Sequence, residues 1–428
     1  MKITIIGTGF VGLVSAAVYA SLGHQIIGLD IDQKKVKSLE KSQVPFYEPN
    51  LEELLKEQQK KKLLKFTTDY QKAIKDAEII IIAVGTPSAA DGQADLKYLD
   101  TSSETLAPYL KKNTIVAVKS TVPPGALKRI EKVIKAKTKT KFYTASLPEF
   151  LREGSAVADT LNPDRIIIGA TDDFVFNKLE QLHRSFKAPI LKMKPESAQM
   201  AKYTANSYLA TRITFINQIA NLCELNGADI EEVIQGIGLD KRVGKHYWYP
   251  GFGYGGSCFP KDVKELAAYS RAIGQGNNLL NKVNQLNEDR IPTLLEKFAK
   301  IVEGWQDKKI SILGLSFKAN TDDMREAPAT KVIPILLDKG AKVLSYDPMA
   351  NWSNSYPDIE NRQVDSVEKA CENTDVIFAL IEWPQIISFD FSKVRESKKN
   401  QYFIDARNQF DPKIVKNWGF KYFGIGRQ

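Results

Sequence analysis

The sequence predicts an α/β protein in which two doubly wound parallel-sheet domains are joined by a long central helix. Three observations carry this expectation. Strand-like and helix-like segments alternate through the first and last thirds of the 428 residues. These two thirds echo one another, "KITIIGTGF…GHQIIGLDID…DAEIIIIAVGTP" against "KISILGLSF…GAKVLSYDP…NTDVIFALIEW". Between them, from Pro195 to about Leu225, lies a helical pattern with no breaker after its proline.

Each element follows from its local pattern. Ile3–Ile6, Gln25–Asp30, Glu78–Val84, Thr114–Lys119 and Lys141–Ala145 read as strands. Near-continuous Ile and Val, as at Ile79–Ile82, is what a strand covered on both faces requires, and such strands belong to parallel sheets. Val11–Leu22, Asp32–Glu40 and Leu51–Lys62 read as the intervening helices. After the central helix, Ile230–Gln235 and Asp262–Ile273 read as shorter helices around an aromatic, glycine-rich loop, Tyr247 to Phe259. Strands return at Lys309–Leu313, Ala341–Tyr346 and Asp375–Ile381. The echo makes both outer parts Rossmann-like, and the expected division is residues 1–195, 196–300 and 301–428.

Composition narrows the function classes. Hydrophobic residues make up 43% and charged residues 26%, the mixture of an ordinary globular chain. The net charge of +9 is spread along the chain rather than gathered into an aromatic-interleaved basic face, so nucleic acid is not the expected partner. The longest apolar run, Ile79 to Val84, is strand-sized and far below the ~20 residues of a membrane span. There is no signal-peptide pattern. Cys223, Cys258 and Cys371 are too far apart for a compact metal motif, and so sparse a set suits a reducing compartment. The expectation is a cytoplasmic protein that uses no metal and no membrane.

Gly7-Thr8-Gly9-Phe10-Val11-Gly12 is a G-x-G-x-x-G that follows a strand, opens a helix and precedes a strand ending at Asp30. In that setting it is a dinucleotide fingerprint. Gly7 permits the tight turn, Gly9 lets the backbone approach a pyrophosphate at the positive helix end, and Gly12 allows close helix–strand packing. Gly7, Gly9, Phe10, Val11 and Gly12 are therefore the candidate cofactor residues. Asp30 suits ribose hydroxyls and would repel a 2′-phosphate, which selects NAD over NADP. The equivalent second turn, Gly314-Leu315-Ser316-Phe317-Lys318, lacks the later glycines. It suggests a different nucleotide, with Lys318 facing phosphate or sugar.

Further motifs come in order: Gly85-Thr86-Pro87, Ser120-Thr121-Val122-Pro123-Pro124-Gly125, Pro148-Glu149-Phe150-Leu151-Arg152-Glu153-Gly154, Gly253-Tyr254-Gly255-Gly256-Ser257-Cys258-Phe259-Pro260-Lys261-Asp262, and "GLSFKANTDDMR" from Gly314 to Arg325. Together they resemble the UDP-glucose 6-dehydrogenase family, within the wider UDP-glucose/GDP-mannose dehydrogenases. The resemblance extends from the glycine fingerprint to Asp405-Ala406-Arg407. It implies two Rossmann-like domains joined by a long helix, a homodimer through the central region, and a two-step, NAD-linked oxidation of a nucleotide sugar's primary alcohol to an acid. Pro45-Phe46-Tyr47-Glu48-Pro49 and Phe259 look more like the UDP-glucose branch than the GDP-mannose branch.

Such a four-electron oxidation needs a nucleophile, because an aldehyde has a hydride to lose only after something adds to it. Cys258, preceded by glycines that allow close backbone approach, is the candidate, passing through a thiohemiacetal and a thioester. Lys261 and a nearby helix N-terminus would favour its thiolate. Cys223 and Cys371 lie in helical patterns and read as structural. The resemblance implies that Thr121 and Asp262 hold a proton-accepting water, and that Lys202 and Asn206, four apart on one helix face, stabilise oxyanions. It implies that Glu149 activates the hydrolytic water. Lys35, Thr86, Thr121, Glu153, Lys261 and Arg325 resemble NAD contacts. Glu149, Phe150 to Arg152 (with Leu151), Lys202, Asn206, the loop Tyr247-Trp248-Tyr249-Pro250-Gly251, Gly255, Lys318 and Arg407 resemble substrate contacts, and Arg242 a residue reaching across a dimer. His24, His183 and His246 fall outside these motifs, which argues against a histidine-based dehydrogenase.

Overall fold

The computed structural model describes residues 1–396 and 400–427. The chain forms two compact units: residues 1–205 with 264–276, and residues 206–263 with 277–428.

The first unit holds eight strands: β1 (Lys2–Ile6), β2 (Gln25–Leu29), β3 (Leu64–Thr67), β4 (Ile79–Ile82), β5 (Thr114–Val118), β6 (Phe142–Ser146), β7 (Ile166–Gly169) and β8 (Ile190–Met193). Their order is β3-β2-β1-β4-β5-β6-β7-β8. The first six form the doubly wound order of a dinucleotide fold, in which the strand order reverses between β1 and β4 and leaves a crevice at the strands' carboxyl ends. β7 departs from the expected all-parallel sheet: it meets β6 antiparallel through a single pair, Ser146 with Gly169. Apolar clusters cover both faces of this sheet. Ile3, Ile5, Leu13 and Ile81 belong to one, and Ile6, Ile80, Ile82 and Leu99 to the other. Alternate residues of one strand thus feed opposite cores, which is why β4 is isoleucine throughout.

The second unit holds β9 (Lys309–Leu313), β10 (Lys342–Tyr346), β11 (Arg362–Gln363), β12 (Val376–Ala379), β13 (Tyr402–Asp405) and β14 (Lys421–Phe423). Their order, β11-β10-β9-β12-β13-β14, is the same doubly wound order, and every pair is parallel. The sequence echo is therefore a structural one, and it reaches individual atoms. Gly7, at φ +91, donates its N–H to Leu29 O at 2.8 Å, and Gly314, at φ +97, donates to Tyr346 O at 2.8 Å. A side chain at either glycine would meet left-handed strain and collide with a neighbouring strand end, Ala83 O in one case and Ile381 in the other.

A 32-residue helix, Pro195–Asn226, runs from the first unit into the second. The helix Phe259–Ala272 also spans the division. Among the described residues no helix is long and apolar enough to cross a membrane.

Candidate functional site

In the first unit the fingerprint turn leads into the helix Phe10–Ser21. Gly9 is its N-cap, no side chain caps it, and its first turn carries no acidic residue. The terminal N–H donors are thus left for an anion. A Cβ at Gly9 would meet no atom within 4 Å, so the backbone there faces open space, whereas one at Gly12 would collide with Gly7 O. Asp30 follows β2. Its Oδ2 accepts from Thr8 N (2.9 Å), Thr8 Oγ1 (2.7 Å) and Lys35 Nζ (3.0 Å), and its Oδ1 accepts from Asp32 N at 3.1 Å. Burial alone would raise its pKa, but the hydrogen bonds from Asp32, Thr8 and Lys35 outweigh this and hold the carboxyl below its ordinary range. Asp30 is therefore an anion with acceptor capacity left on Oδ1, as a ribose diol requires. These residues fit a dinucleotide. Lys35 is tied to Asp30. Thr86 is buried and donates to Thr121 O at 2.8 Å.

Beyond β6, the same unit buries an ionic cluster. Lys202 Nζ lies 2.8 Å from Glu149 Oε1, with only 5% and 8% of the two side chains exposed. Glu149 Oε2 accepts from Leu151 N at 2.8 Å. Burial pushes the Glu149 pKa up, but the charge of Lys202, its hydrogen bond, the charge of Lys119 and the Leu151 N–H together hold it below the usual range. Lys119, the residue after β5, is also buried. Burial brings its ammonium down to about 8, against the upward pull of Glu149 and with a further push from Lys202. Phe150 lies close to two cations, with the Arg165 guanidinium 3.7 Å and Lys202 Nζ 5.4 Å from its ring centre. Glu153 is buried, and Arg152 is exposed with a bidentate hold on Asp159.

Two residues of this cluster escape a reading of the sequence alone. Lys119 reads there only as the end of a strand, although a lysine at the carboxyl end of a central parallel strand stands where such sheets bind ligands. Glu48 reads only as part of a motif. Its buried carboxylate accepts from the backbone N–H of Gly154 and of Ala156, both at 2.7 Å, and so fixes the far end of the Glu149–Gly154 segment.

In the second unit Cys258 is exposed, whereas Cys223 and Cys371 are buried. Burial raises both of those thiols, Cys371 to about 12, which makes them inert. Cys258 immediately precedes the helix Phe259–Ala272, and its carbonyl accepts the Asp262 N–H at 2.8 Å, so it is the N-cap. Asp262 sits in the first turn, 1% exposed, its Oδ1 2.7 Å from Lys261 Nζ and its Oδ2 accepting from Asn206 Nδ2 at 2.6 Å. The structure thus links Asn206, Asp262 and Lys261 in one polar chain at the start of the thiol's helix. Asn206 lies one turn beyond Lys202 on the helix Pro195–Asn226.

The glycine-rich loop before Cys258 packs against the second sheet's carboxyl end. Gly251 lies against Ala406 O, and Gly255 so close to Glu326 O that a Cβ has no room. Gly256 donates to Arg325 O at 2.9 Å. Arg407 donates to Phe317 O at 3.1 Å and lies 3.3 Å from Glu382. Lys318 Nζ is 5.6 Å from the Phe317 ring centre. Tyr247, at φ +65, packs on Tyr249 and Phe259, Trp248 carries Arg212 3.9 Å over its ring, and Pro250 is buried. Arg325 and Arg242 are exposed and paired within their own segments, with Asp323 and Asp240. In the first unit His183 is buried between Tyr19 and Leu179 O, its imidazole pushed down by burial to about 4, and in the second His246 is exposed. No cluster of three or more His, Cys, Asp or Glu side chains among the described residues is placed to hold a metal.

A dinucleotide turn with an ionised ribose acceptor in one Rossmann domain, in a chain whose second such domain lacks the fingerprint, points to an NAD-dependent oxidoreductase. Comparison with known proteins makes this specific. Three family models of the UDP-glucose/GDP-mannose dehydrogenases match: the NAD binding domain over residues 1–187, the central domain over 196–289 and the UDP binding domain over 311–412. The UDP-glucose 6-dehydrogenase of Bacillus subtilis is 41% identical over 431 residues, covering 100% of this chain and 93% of that protein. The UDP-glucose 6-dehydrogenase of Pseudomonas aeruginosa is 40% identical, covering 100% and 98%. The solved UDP-glucose dehydrogenase of Pyrobaculum islandicum superposes with a TM-score of 0.93 at 33% identity, covering 100% and 98%. The chain belongs to the UDP-glucose/GDP-mannose dehydrogenase family. It is an NAD-dependent nucleotide-sugar dehydrogenase.

Proposed function

We propose that this enzyme oxidises UDP-glucose to UDP-glucuronate through covalent intermediates on Cys258. The observation that carries the reading is the exposed thiol at the N-cap of the helix Phe259–Ala272. The helix's positive end stabilises a thiolate there. The UDP-glucose 6-dehydrogenases among the relatives, and the Pro45–Pro49 motif, favour this substrate over GDP-mannose.

The Gly7–Gly12 turn and Asp30, with Lys35, Thr86, Thr121, Glu153, Lys261 and Arg325 as further contacts, would hold NAD, which would supply the hydride acceptor. In the first oxidation the C6 hydroxyl loses its proton to a water held by Thr121 and Asp262 while C6 loses a hydride, leaving an aldehyde. The Cys258 thiolate then adds to that carbonyl carbon. Lys202 and Asn206 stabilise the oxyanion by charge and hydrogen bond. Loss of a second hydride, which would require a second NAD in place of the first, leaves a thioester. Glu149, which its cationic neighbours keep ionised, takes a proton from the water that adds to it. The C–S bond breaks, releasing carboxylate and thiol. Phe150, Leu151, Arg152, the Tyr247–Gly251 loop, Gly255, Lys318 and Arg407 hold the nucleotide sugar. Residues 1–195, 196–300 and 301–428 then serve as cofactor, central and substrate domains.

The same reading makes the enzyme a cytoplasmic homodimer, with Arg242 serving the neighbouring subunit. Tyr208, Phe215 and Leu222 recur every seven residues along the long helix and are 57%, 52% and 55% exposed. An apolar stripe of that spacing is suited to a partner helix.

The test is NADH yield per limiting nucleotide sugar, with UDP-glucose and GDP-mannose side by side. Two NADH per UDP-glucuronate are expected, with little turnover of GDP-mannose. Cys258→Ser should lose steady-state turnover and retain at most a small burst, because a serine ester lacks the thioester's reactivity. One NADH per sugar, or a serine variant as fast as the wild type, would refute the covalent route.

A further inference from the structure

The segment Gly251–Cys258 contains four glycines, at 251, 253, 255 and 256. Glycine loses more conformational freedom on ordering than any other residue, so this loop has little intrinsic reason to hold its terminal thiol in one place. Its order is imposed from outside. Asn287, near the end of the helix Leu279–Glu288, treats Tyr254 as a strand would. Its Oδ1 accepts the Tyr254 N–H at 2.8 Å and its Nδ2 donates to Tyr254 O at 3.1 Å. Two residues beyond that helix, Arg290 donates from Nε to Gly251 O at 2.9 Å and from Nη1 to Asn221 Oδ1. Asn217 Oδ1 accepts the Gly251 N–H at 2.8 Å. Asn217, Asn287 and Arg290 are 3%, 8% and 4% exposed. Burying a guanidinium is expensive enough to push its pKa down to about 10. Such a group is a poor choice for filling space where a leucine would serve. The chain meets Asn287 halfway: Gly253 sits at φ +96, and a Cβ there would stand 2.6 Å from Asn287 Oδ1.

We propose that Asn287 and Arg290 are positioning residues for the Cys258 thiol, clamping the glycine loop by its backbone from the helices Leu279–Glu288 and Arg290–Val302 while Arg325 and Glu326 fix the other side. The proposal rests on Cys258 being the nucleophile. Neither residue touches the thiol. Their effect passes through the loop, so both side-chain contacts and the space left by Gly253 contribute to one geometry. A displaced nucleophile costs rate, whereas the Gly7–Gly12 turn belongs to the other unit and keeps its own order.

The test compares Asn287→Ala and Gly253→Ala with the wild type and with Cys258→Ser, all in the full-length protein. Asn287→Ala removes the clamp's hold on Tyr254. Gly253→Ala keeps Asn287 but pushes the loop off it. Both should lower kcat by about 10- to 100-fold, the scale of a 1 Å misplacement. Amide hydrogen exchange in the first unit's peptide covering residues 3–18 should stay unchanged, and exchange in the peptide covering residues 250–258 should speed up. Unchanged exchange in that peptide would overturn the clamp. Faster exchange with full kcat would overturn positioning, and so would faster exchange in the first unit's peptide as well, which signals general unfolding. A Cys258→Ser enzyme that turns over normally would instead strike down the nucleophile assignment, and the exchange result would still decide the clamp.

Discussion

Replacing Lys202 by Met tests the ionic cluster most directly. The change removes the ammonium 2.8 Å from Glu149 and leaves a carboxylate that is 8% exposed. Breaking a buried pair from one side costs about 3–5 kcal/mol. Two features lower that figure here: Glu149 keeps the Leu151 N–H and the nearby charge of Lys119. Protonation also sets a ceiling. Neutralising a carboxyl of ordinary pKa, about 4.3, costs about 4 kcal/mol at pH 7 and about 1 kcal/mol at pH 5. The sign follows from linkage. The depressed pKa of Glu149 contributes stability that is fully present above the unfolded value and is lost as pH falls through the folded one. Lys202→Met should therefore destabilise the first unit by about 2–4 kcal/mol at pH 7 and by about 1 kcal/mol at pH 5. All five tryptophans lie at residue 248 or beyond, in the second unit, so fluorescence would miss the effect. Hydrogen exchange in peptides covering β5 and β6 reads it. Equal losses at both pH values, or none at pH 7, would refute the claim that Lys202 neutralises Glu149. Turnover should fall by about 10²–10³-fold in the same variant, the usual loss of one oxyanion stabiliser.

Two other outcomes are open to measurement. Asp30→Ala should raise KM for NAD and narrow the preference over NADP, because the ribose acceptor is gone and the repulsion of a 2′-phosphate with it; steady-state rates with both cofactors decide, and an unchanged preference would remove Asp30 from that role. Phe215→Glu places a charge in the exposed stripe of the long helix, so light scattering should show a shift from dimer to monomer, and a dimer that persists at every dilution would place the interface elsewhere.

The fold is largely legible in the sequence because its signals are long or repeated. The helix Pro195–Asn226 declares itself over 32 residues. The echo supplies both sheets' first strands and turns. Short elements are harder to read. β3 is four residues on the sheet's edge, with Lys65 exposed between buried Leu64 and Phe66, and the helical pattern before it masks its start. β7 is a run of three isoleucines and a glycine, too brief for periodicity to register, and its antiparallel pairing follows from no local signal. At the site, motif residues such as Cys258 and Asp30 can be named from sequence because their chemistry is tied to fixed spacing. Asn287, Arg290 and Lys119 cannot. Each acts on residues distant in sequence, and an asparagine that holds a backbone reads, in one dimension, like any surface asparagine.

The repeated turn also explains why the two halves read different molecules. Asp347, after β10, is the counterpart of Asp30, and it too accepts from the N–H groups behind the first glycine, Leu315 at 2.7 Å and Ser316 at 3.1 Å. Its Oδ2 also receives the Trp383 indole at 3.1 Å, and its Oδ1 the N–H of Met349 and Ala350 at 2.9 and 2.8 Å. Every lone-pair direction of this carboxylate is taken, whereas Asp30 keeps room on Oδ1. Two turns of one shape can thus be told apart by electron-pair vacancy alone: the first half can still answer a sugar diol, and the second has spent its answer on its own chain. Restoring glycines to the second turn would rebuild the contour of a dinucleotide site without its chemistry, for as long as Trp383 and the 349–350 backbone hold that acid.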